Sequence, residues 1–191
     1  MNTGQMFTVI FALVLLGLVT LVINQMLADK AQVMLQAEAS LTAISLGQTM
    51  LDEIKSKSYD AATSPTTGIY PPDGGVKVYD SSAFTATSGL GPSASESNSV
   101  PLPEPPDTAH AYKSIQYYND VDDYNHYQRY VFSSVLGTFF ITDTIYYVTS
   151  ATPDVKTNIQ SYCKKIVVTV THPNMTYKLQ LSDIAVYRRY F

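Results

Sequence analysis

An apolar segment near the start of the chain restricts the possible folds more than any other feature. From Met6 to Ile23 only two threonines and one glycine interrupt the apolar residues, and the first charged side chain is Asp29. This run of 18 residues reaches the lower limit of what spans a bilayer, and residues 24–27 extend it at the interface. The rest of the chain is polar. The sequence therefore predicts one hydrophobic segment attached to a water-exposed body.

Three interpretations of this segment compete. Residues 1–4 contain no Lys or Arg, and no A-x-A pattern follows before Asn24, which disfavours a cleaved signal peptide. A small domain cannot surround an apolar cylinder roughly 30 Å long, which disfavours a buried core helix. We therefore expect a retained helix that lies in lipid, in a bundle of identical helices, or in each in turn. The candidate residues are Gln5, Met6, Phe7, Val9, Ile10, Phe11, Leu13, Val14, Leu15, Leu16, Leu18, Val19, Leu21, Val22 and Ile23.

The helical pattern continues beyond the apolar segment. From Asp29 to Lys57 there is no proline and only one glycine, Gly47. Apolar residues recur at spacings of three and four, and many small residues permit close helix packing. We predict one helix over about residues 3–58, roughly 80 Å long, whose second half packs on the chain's own sheet. The two apolar rows are Met34, Ala37, Leu41, Ile44 and Leu51, and Leu46, Met50 and Ile54.

The remainder divides into a loop region, 59–110, and a β domain, 111–191. The loop region is rich in Ser, Thr, Gly and Pro, which favour turns and extended segments, with short strands expected only near 75–79. In the β domain, strands follow one another without intervening helices, so the sheet should be antiparallel. The predicted fold class is α+β: a long N-terminal helix packed on a C-terminal antiparallel sheet. The predicted strands are 128–135, 138–151, 163–171 and 176–186.

The last two strands carry the clearest period-two pattern. We predict that they pair as a hairpin through His172–Met175. The side chains expected to face the helix are Ile166, Val168, Leu179 and Leu181, with Tyr177 in phase with the last two.

Composition disfavours several classes of function. The net charge is −4 without a basic stripe, so no nucleic-acid partner is evident. The single cysteine, Cys163, cannot form an internal disulfide. No histidine, serine or cysteine lies in a catalytic motif, and no glycine pattern fits a phosphate. We therefore expect a protein that is not an enzyme and has no organic cofactor.

One polar cluster deserves a functional hypothesis. Asp120, Asp122, Asp123 and Asn125 supply several oxygen ligands within one short segment, and Ca²⁺ binds six to eight oxygens. The spacing differs from that of an EF-hand, whose glycine is absent. Acidic residues before a strand are more commonly solvated turn formers. Calcium at these four residues is thus one hypothesis, and a solvated turn is the other.

Three stretches resemble the type IV pilin and pseudopilin family. Residues 5–17 resemble the pilin N-terminal helix, residues 43–59 resemble the end of that helix in minor-pilin-like proteins, and residues 164–173 resemble their closing hairpin. The resemblance covers about 1–58 and 110–186. Two positions depart from the family if residue 1 is the mature N-terminus: Gln5 stands where the family has glutamate, and Val22 stands where it has proline. If Gly4 instead ended a leader, the apolar Val9 would stand at the glutamate position. Gln5 can form hydrogen bonds but not the ion pair with a neighbour's terminal amine.

The resemblance implies a structural subunit of an extracellular helical filament, used for example in cell adhesion. Such a subunit is inserted in the cytoplasmic membrane before assembly, depends on a pilus assembly machinery, and then forms a homo-oligomer through its apolar helix. Two alternatives remain open: a minor pilin or pseudopilin of a secretion system, and a single-pass, membrane-anchored surface protein that binds a ligand.

Overall fold

The computed structural model describes residues 3–64, 80–93, 96 and 112–187. A single long helix and a four-stranded antiparallel sheet form an α+β fold, which confirms the predicted fold class. Within the described residues, three short 3₁₀ turns, at 61–63, 81–83 and 122–124, join the loops to this framework. The elements are α1 (Thr3–Lys55), α2 (Lys113–Tyr117), β1 (Gln128–Ser133), β2 (Gly137–Val148), β3 (Cys163–Thr171) and β4 (Leu179–Val186).

Helix α1 runs for 53 residues without a break, because neither glycine in its interior is accompanied by a proline or a second glycine. It ends three residues before the predicted position. The chain then pairs with the segment ahead of the sheet: Ser58 accepts a hydrogen bond from the Val121 N–H at 2.9 Å, and its own N–H donates to the Asn119 carbonyl at 3.1 Å. These contacts replace the helical hydrogen bonds and anchor the helix end to the body.

The sheet is a simple meander in the order β1-β2-β3-β4. The predicted β3–β4 hairpin is confirmed, with Val170 opposite Leu179 and Val168 opposite Leu181. The turn is longer than expected, because β4 begins at Leu179. Tyr177 therefore lies in the turn, where its side chain is 59% exposed, and its predicted place in the strand is wrong.

The sheet packs on a stripe of mostly small residues on α1. The buried residues are Ala39, Ala43, Gly47, Met50 and Ile54, at spacings of three and four. These contact the core that Ile166, Val168 and Val170 form. Small side chains lie here because the sheet presents bulky β-branched residues. Only a helix face without large side chains lets α1 approach the sheet closely.

This stripe corrects part of the first predicted apolar row, of which Leu51 still packs against the core. Met34 and Leu41 are 72% and 70% exposed, so they do not face the sheet. Met50 and Ile54, which belong to the other predicted row, are buried and do face the sheet. A turn of 100° per residue places Met34 and Leu41 on the side of α1 opposite Ala43.

Part of the loop region packs on the body. Phe84 is buried and its ring contacts Tyr59 at 5.0 Å between centroids. The strands expected near 75–79 lie outside the described residues. The division into three regions stays a prediction.

Candidate functional site

The first candidate site is the apolar half of α1, defined as residues 3–28. Every residue of α1 from Thr3 to Leu35 is exposed. Among the large apolar residues between Met6 and Ile23, the exposed fraction runs from 46% at Leu15 to 76% at Phe7. Within the described residues, α1 is the one helix long and apolar enough to cross a membrane, and none of its most apolar window is buried. The residues singled out from the sequence therefore form one continuous exposed surface.

This exposure has a large energetic consequence. Eighteen mostly apolar residues in water present well over ~1,000 Å² of apolar surface, which corresponds to tens of kcal/mol at about 25 cal/mol per Å². Exposed apolar patches on monomeric soluble proteins are usually only a few hundred Å². The segment requires lipid or protein around it. Gln5 is exposed in the same segment and adds a polar amide near its start.

An apolar row continues beyond the membrane-length segment. Met34 and Leu41 are exposed on the side of α1 that faces away from the sheet, and Ile44 is exposed on the flank of the helix, about 100° from Ala43. The packed half of α1, residues 29–55, thus has one face on the chain's own sheet and an opposite face with large apolar side chains. Both halves of the helix offer surface that no other part of the described chain covers.

Polar contacts fix the angle at which α1 leaves the body. The Gln36 side-chain amide donates to the Thr176 hydroxyl at 2.7 Å, and Lys55 pairs with Asp183 on β4. Beside the first contact lies a small cleft of about 220 Å³ between Gln32 and the turn 173–176. The cleft is smaller than the usual small-molecule pocket of ~300–1,000 Å³.

A second candidate site is the Lys164 cluster, formed by Lys164, Asp60, Asp122, Tyr59 and Tyr147. Lys164 lies on β3 with its side chain 0% exposed. Its Nζ donates to Asp60 Oδ2 at 2.6 Å, to Asp122 Oδ1 at 2.7 Å and to the Tyr59 carbonyl at 2.9 Å. The rings of Tyr59 and Tyr147 lie 4.6 and 5.2 Å from this nitrogen. Burial raises the pKa of both phenols.

Asp60 is held by donors from three segments. Its Oδ1 accepts from the Ala62 N–H at 3.1 Å and the Thr85 hydroxyl at 3.2 Å. The Thr85 N–H, 3.1 Å from each carboxyl oxygen, donates to both, and the Tyr147 hydroxyl donates to Oδ2 at 3.2 Å. The carboxyl group is therefore oriented by several donors and in contact with one amine.

The four residues predicted to bind calcium are instead used within the protein. Asp120 and Asp123 accept backbone N–H groups of the segment 119–123. Asp122 contacts Lys164, and Asn125 bonds to the backbone of Leu90 and Ile145. The described residues contain no group of three or more His, Cys, Asp or Glu side chains arranged to hold a metal ion. The geometry gives calcium no support, and calcium binding stays an untested prediction.

Burial changes the acidity of this segment. It raises the pKa of Asp120 to about 10, with Asp122 and Asp123 as neighbouring negative charges, and that of Asp123 to about 7. The interpretation of these residues as a solvated turn is wrong, since all three aspartates are at most 2% exposed.

A third group, the Glu53 cluster, joins α1 to β1. Arg129 donates to Glu53 at 2.8 Å, and both side chains are largely buried. The same carboxylate accepts from the Tyr124 hydroxyl at 2.9 Å and the Ser114 hydroxyl at 3.0 Å. Asp143 lies nearby, and burial raises its pKa well above the usual value. This cluster is a structural tie between the helix and the sheet.

The sequence reasoning missed the Lys164 cluster, although one signal was present. Lys164 is in phase with Ile166, Val168 and Val170, so the period-two pattern places it on the core face of β3. A lysine on the buried face requires an acidic partner, and Asp60 is 104 positions away. The period-two pattern therefore identifies the face of β3 on which Lys164 lies, but it does not identify the acidic partner of Lys164.

Comparisons with protein-family models, characterised proteins and solved structures found no match to this chain. The architecture of a long apolar helix on an antiparallel sheet is compatible with that of pilins.

Proposed function

We propose that this chain is the structural subunit of an extracellular helical filament of the type IV pilin kind. The observation that carries this proposal is the continuous exposure of α1 from Thr3 to Leu35 beside a folded body. Before assembly the apolar half lies in the cytoplasmic membrane. On assembly it transfers into a bundle of the same segment from neighbouring subunits, because exposure to water at either stage costs tens of kcal/mol.

The packed half of α1 favours a filament over a simple anchor. An anchored receptor needs a membrane span and a ligand site, but it has no use for large exposed apolar residues beyond the span. Met34 and Leu41 extend the apolar surface along the helix side that faces away from the sheet, and Ile44 adds to it on the flank. In a helical polymer this row contacts the α1 helices of adjacent subunits. The protein then has a structural rather than a catalytic role.

Gln5 has a specific place in this scheme. It is the first polar side chain to enter the apolar bundle, and an unpartnered buried amide costs roughly 1–3 kcal/mol. We expect its amide to bond to the N-terminal region of a neighbouring subunit.

The decisive experiment is negative-stain electron microscopy of material sheared from cells that express the chain, followed by mass spectrometry of the filaments. We expect filaments whose principal component is this chain. A strain that lacks the gene is the control for other filaments. The proposal fails if the chain stays in the membrane fraction and no sheared filament contains it. A trace amount at filament tips would favour the minor-pilin alternative.

A further inference from the structure

The Lys164 cluster places an amine directly against a carboxyl group, and both are shielded from solvent. The amine of Lys164 and the carboxyl group of Asp60 are both 0% exposed, and Lys164 Nζ lies 2.6 Å from Asp60 Oδ2. Two tyrosine rings flank the nitrogen. Burying an ammonium and a carboxylate carries a desolvation cost that often exceeds their attraction. Here a second carboxyl, that of Asp122, contacts the same amine, so acidic groups outnumber the cation.

We propose that Lys164 and Asp60 form an intramolecular isopeptide bond. Lys164 Nζ attacks Asp60 Cγ, the bond from Cγ to Oδ2 breaks, and an amide forms between the two side chains. Of the three protons on the ammonium, one stays on the amide nitrogen and two leave with Oδ2 as water. The reaction is a condensation, so it requires no oxidant, reductant or further reactant.

The hydrogen-bond donors around Asp60 suit this reaction. Attack on Cγ places negative charge on the oxygen that remains, and donors aimed at that oxygen stabilise the tetrahedral intermediate. Asp60 Oδ1 accepts from the Ala62 N–H, the Thr85 N–H and the Thr85 hydroxyl. The Tyr147 hydroxyl contacts Oδ2, the oxygen that leaves.

Asp122 is placed to relay protons. The amine must lose a proton before it can attack, and a positioned carboxylate is an effective general base. Asp122 Oδ1 lies 2.7 Å from Lys164 Nζ, so it contacts the same nitrogen as Asp60 does. That proton passes to Asp60 Oδ2 before the attack, so that a neutral amine meets a neutral carboxylic acid, and a second proton from the nitrogen then follows to the departing oxygen. After the reaction Asp122 accepts a hydrogen bond from the new amide N–H.

The fold supplies the remaining requirements. Holding two reactants in contact removes most of the entropic barrier to their combination. The surroundings exclude bulk water, and because water is a product of the condensation, its exclusion favours the amide. Folding brings together Asp60, just after α1, and Lys164, in an interior strand of the sheet, across 104 positions of the chain. The bond would make the connection between helix and sheet covalent, whether or not the chain forms filaments.

The test is tryptic mapping of the purified full chain in detergent. An acylated lysine resists trypsin, so cleavage after Lys164 should be lost. We expect the peptide 58–77 joined to the peptide 157–165, with their summed mass reduced by one water molecule. Cleavage after Lys164 together with a free linear peptide 58–77 would show an ordinary ion pair and overturn the proposal. A link to the peptide 114–129, which contains Asp122, would overturn the choice of Asp60.

Two variants on neighbouring positions sharpen the result. Lys164→Arg removes the nucleophile and should abolish the joined peptide. Lys165→Arg should retain it, because Lys165 pairs with Asp154, whose side chain is 85% exposed, rather than with Asp60.

Asp122→Asn should slow bond formation by about a hundredfold, since an amide cannot accept the proton. An equal rate in that variant would overturn the relay, and a joined peptide that survives Lys164→Arg would overturn the assignment of Lys164.

Discussion

The two halves of α1 belong to one unbroken helix but have opposite environments. In the apolar half, residues 3–28, every residue is exposed, although most side chains are apolar. In the packed half, residues 29–55, a stripe that includes Ala39, Ala43 and Gly47 is buried. The half with the larger apolar side chains is therefore the one that the described residues leave uncovered.

This difference shows that hydrophobicity alone does not decide which part of a helix joins the core. The packed half is buried because its small residues allow the sheet to approach closely, and because the Glu53 cluster and the pair of Lys55 with Asp183 fix its orientation. The apolar half has no such partner in the part of the chain that the structure describes. We expect changes in the two halves to affect different properties, assembly in one and folding stability in the other.

The largest expected effect is in the apolar half. Val14→Asp should abolish filament formation, because a carboxylate at the centre of a bilayer or apolar bundle costs about 2.5–3.5 kcal/mol in each subunit. The measurement is the amount of the chain in the sheared filament fraction. Leu18→Asp should behave alike, and Val14→Leu is the matched control that should still assemble.

The same variants should leave the body folded. The near-ultraviolet circular dichroism of the tyrosines in Val14→Asp, solubilised in detergent, should match that of the unaltered chain. A chain that begins at Asp29 should also be folded and soluble. Filaments that still formed from Val14→Asp would show that the helix bundle does not hold them together.

The next largest effect concerns the buried charges of the packed half. Glu53→Ala should lower the free energy of unfolding by about 3–5 kcal/mol, since it leaves Arg129 buried without its carboxylate. Asp52 is adjacent on the helix but exposed, so Asp52→Ala should change stability by no more than about 0.5 kcal/mol. Urea unfolding followed by tyrosine fluorescence measures both. Equal effects of the two substitutions would contradict the assigned role of Glu53.

Two glycines offer a direct comparison of the halves. A Cβ at Gly47 would lie 2.7 Å from Leu181 Cδ1, whereas Gly17 has no neighbouring atom within 4 Å. Gly47→Leu should destabilise the body by about 1–3 kcal/mol through overpacking. Gly47→Ala should destabilise the body much less, because the end of the Leu181 side chain can move and because alanine favours the helix over glycine by about 1 kcal/mol.

The matched change in the apolar half is Gly17→Leu. It should leave the urea midpoint of the body unchanged, because nothing in the described chain contacts this position. A shift as large as that of Gly47→Leu would mean that the two halves are not independent.

A further difference between the two halves is a pH dependence confined to the body. The apolar half contains no titratable side chain before Asp29. Burial raises the pKa of Asp123 to about 7 and that of Asp120 to about 10, so the folded chain binds more protons than the unfolded chain above about pH 4. Stability should therefore fall as pH rises from 5 to 8, because the unfolded chain releases these protons at lower pH than the folded chain does.

The measurement is the urea midpoint at pH 5 and at pH 8. Asp123→Asn keeps an oxygen acceptor for the backbone N–H groups of Asn119 and Asp120 but cannot titrate, so its pH slope should be shallower. A stability that rises over this pH range in the unaltered chain would contradict the prediction.

Local patterns in the sequence determined much of the fold. The absence of proline before residue 65 predicted a continuous helix, and the bounds of β3 were predicted to the residue. The hairpin and the face that carries Ile166 and Val168 followed from period-two alternation. These features depend on residues within a few positions of one another, so they can be recognised without a partner segment.

Contacts between distant segments were decided by the tertiary structure. The sequence offered two apolar rows on α1, and only packing against the sheet selected the side with Ala43 and Gly47. It also presented the aspartates near residue 120 as a hydrated or metal-binding loop, whereas folding buries them and sets Asp122 against Lys164. Alternation along a strand is fixed by backbone geometry. The acidic partners of the buried Lys164, by contrast, lie 42 and 104 positions away in the sequence. These contacts depend on how the whole chain packs, so they cannot be inferred from a local sequence pattern.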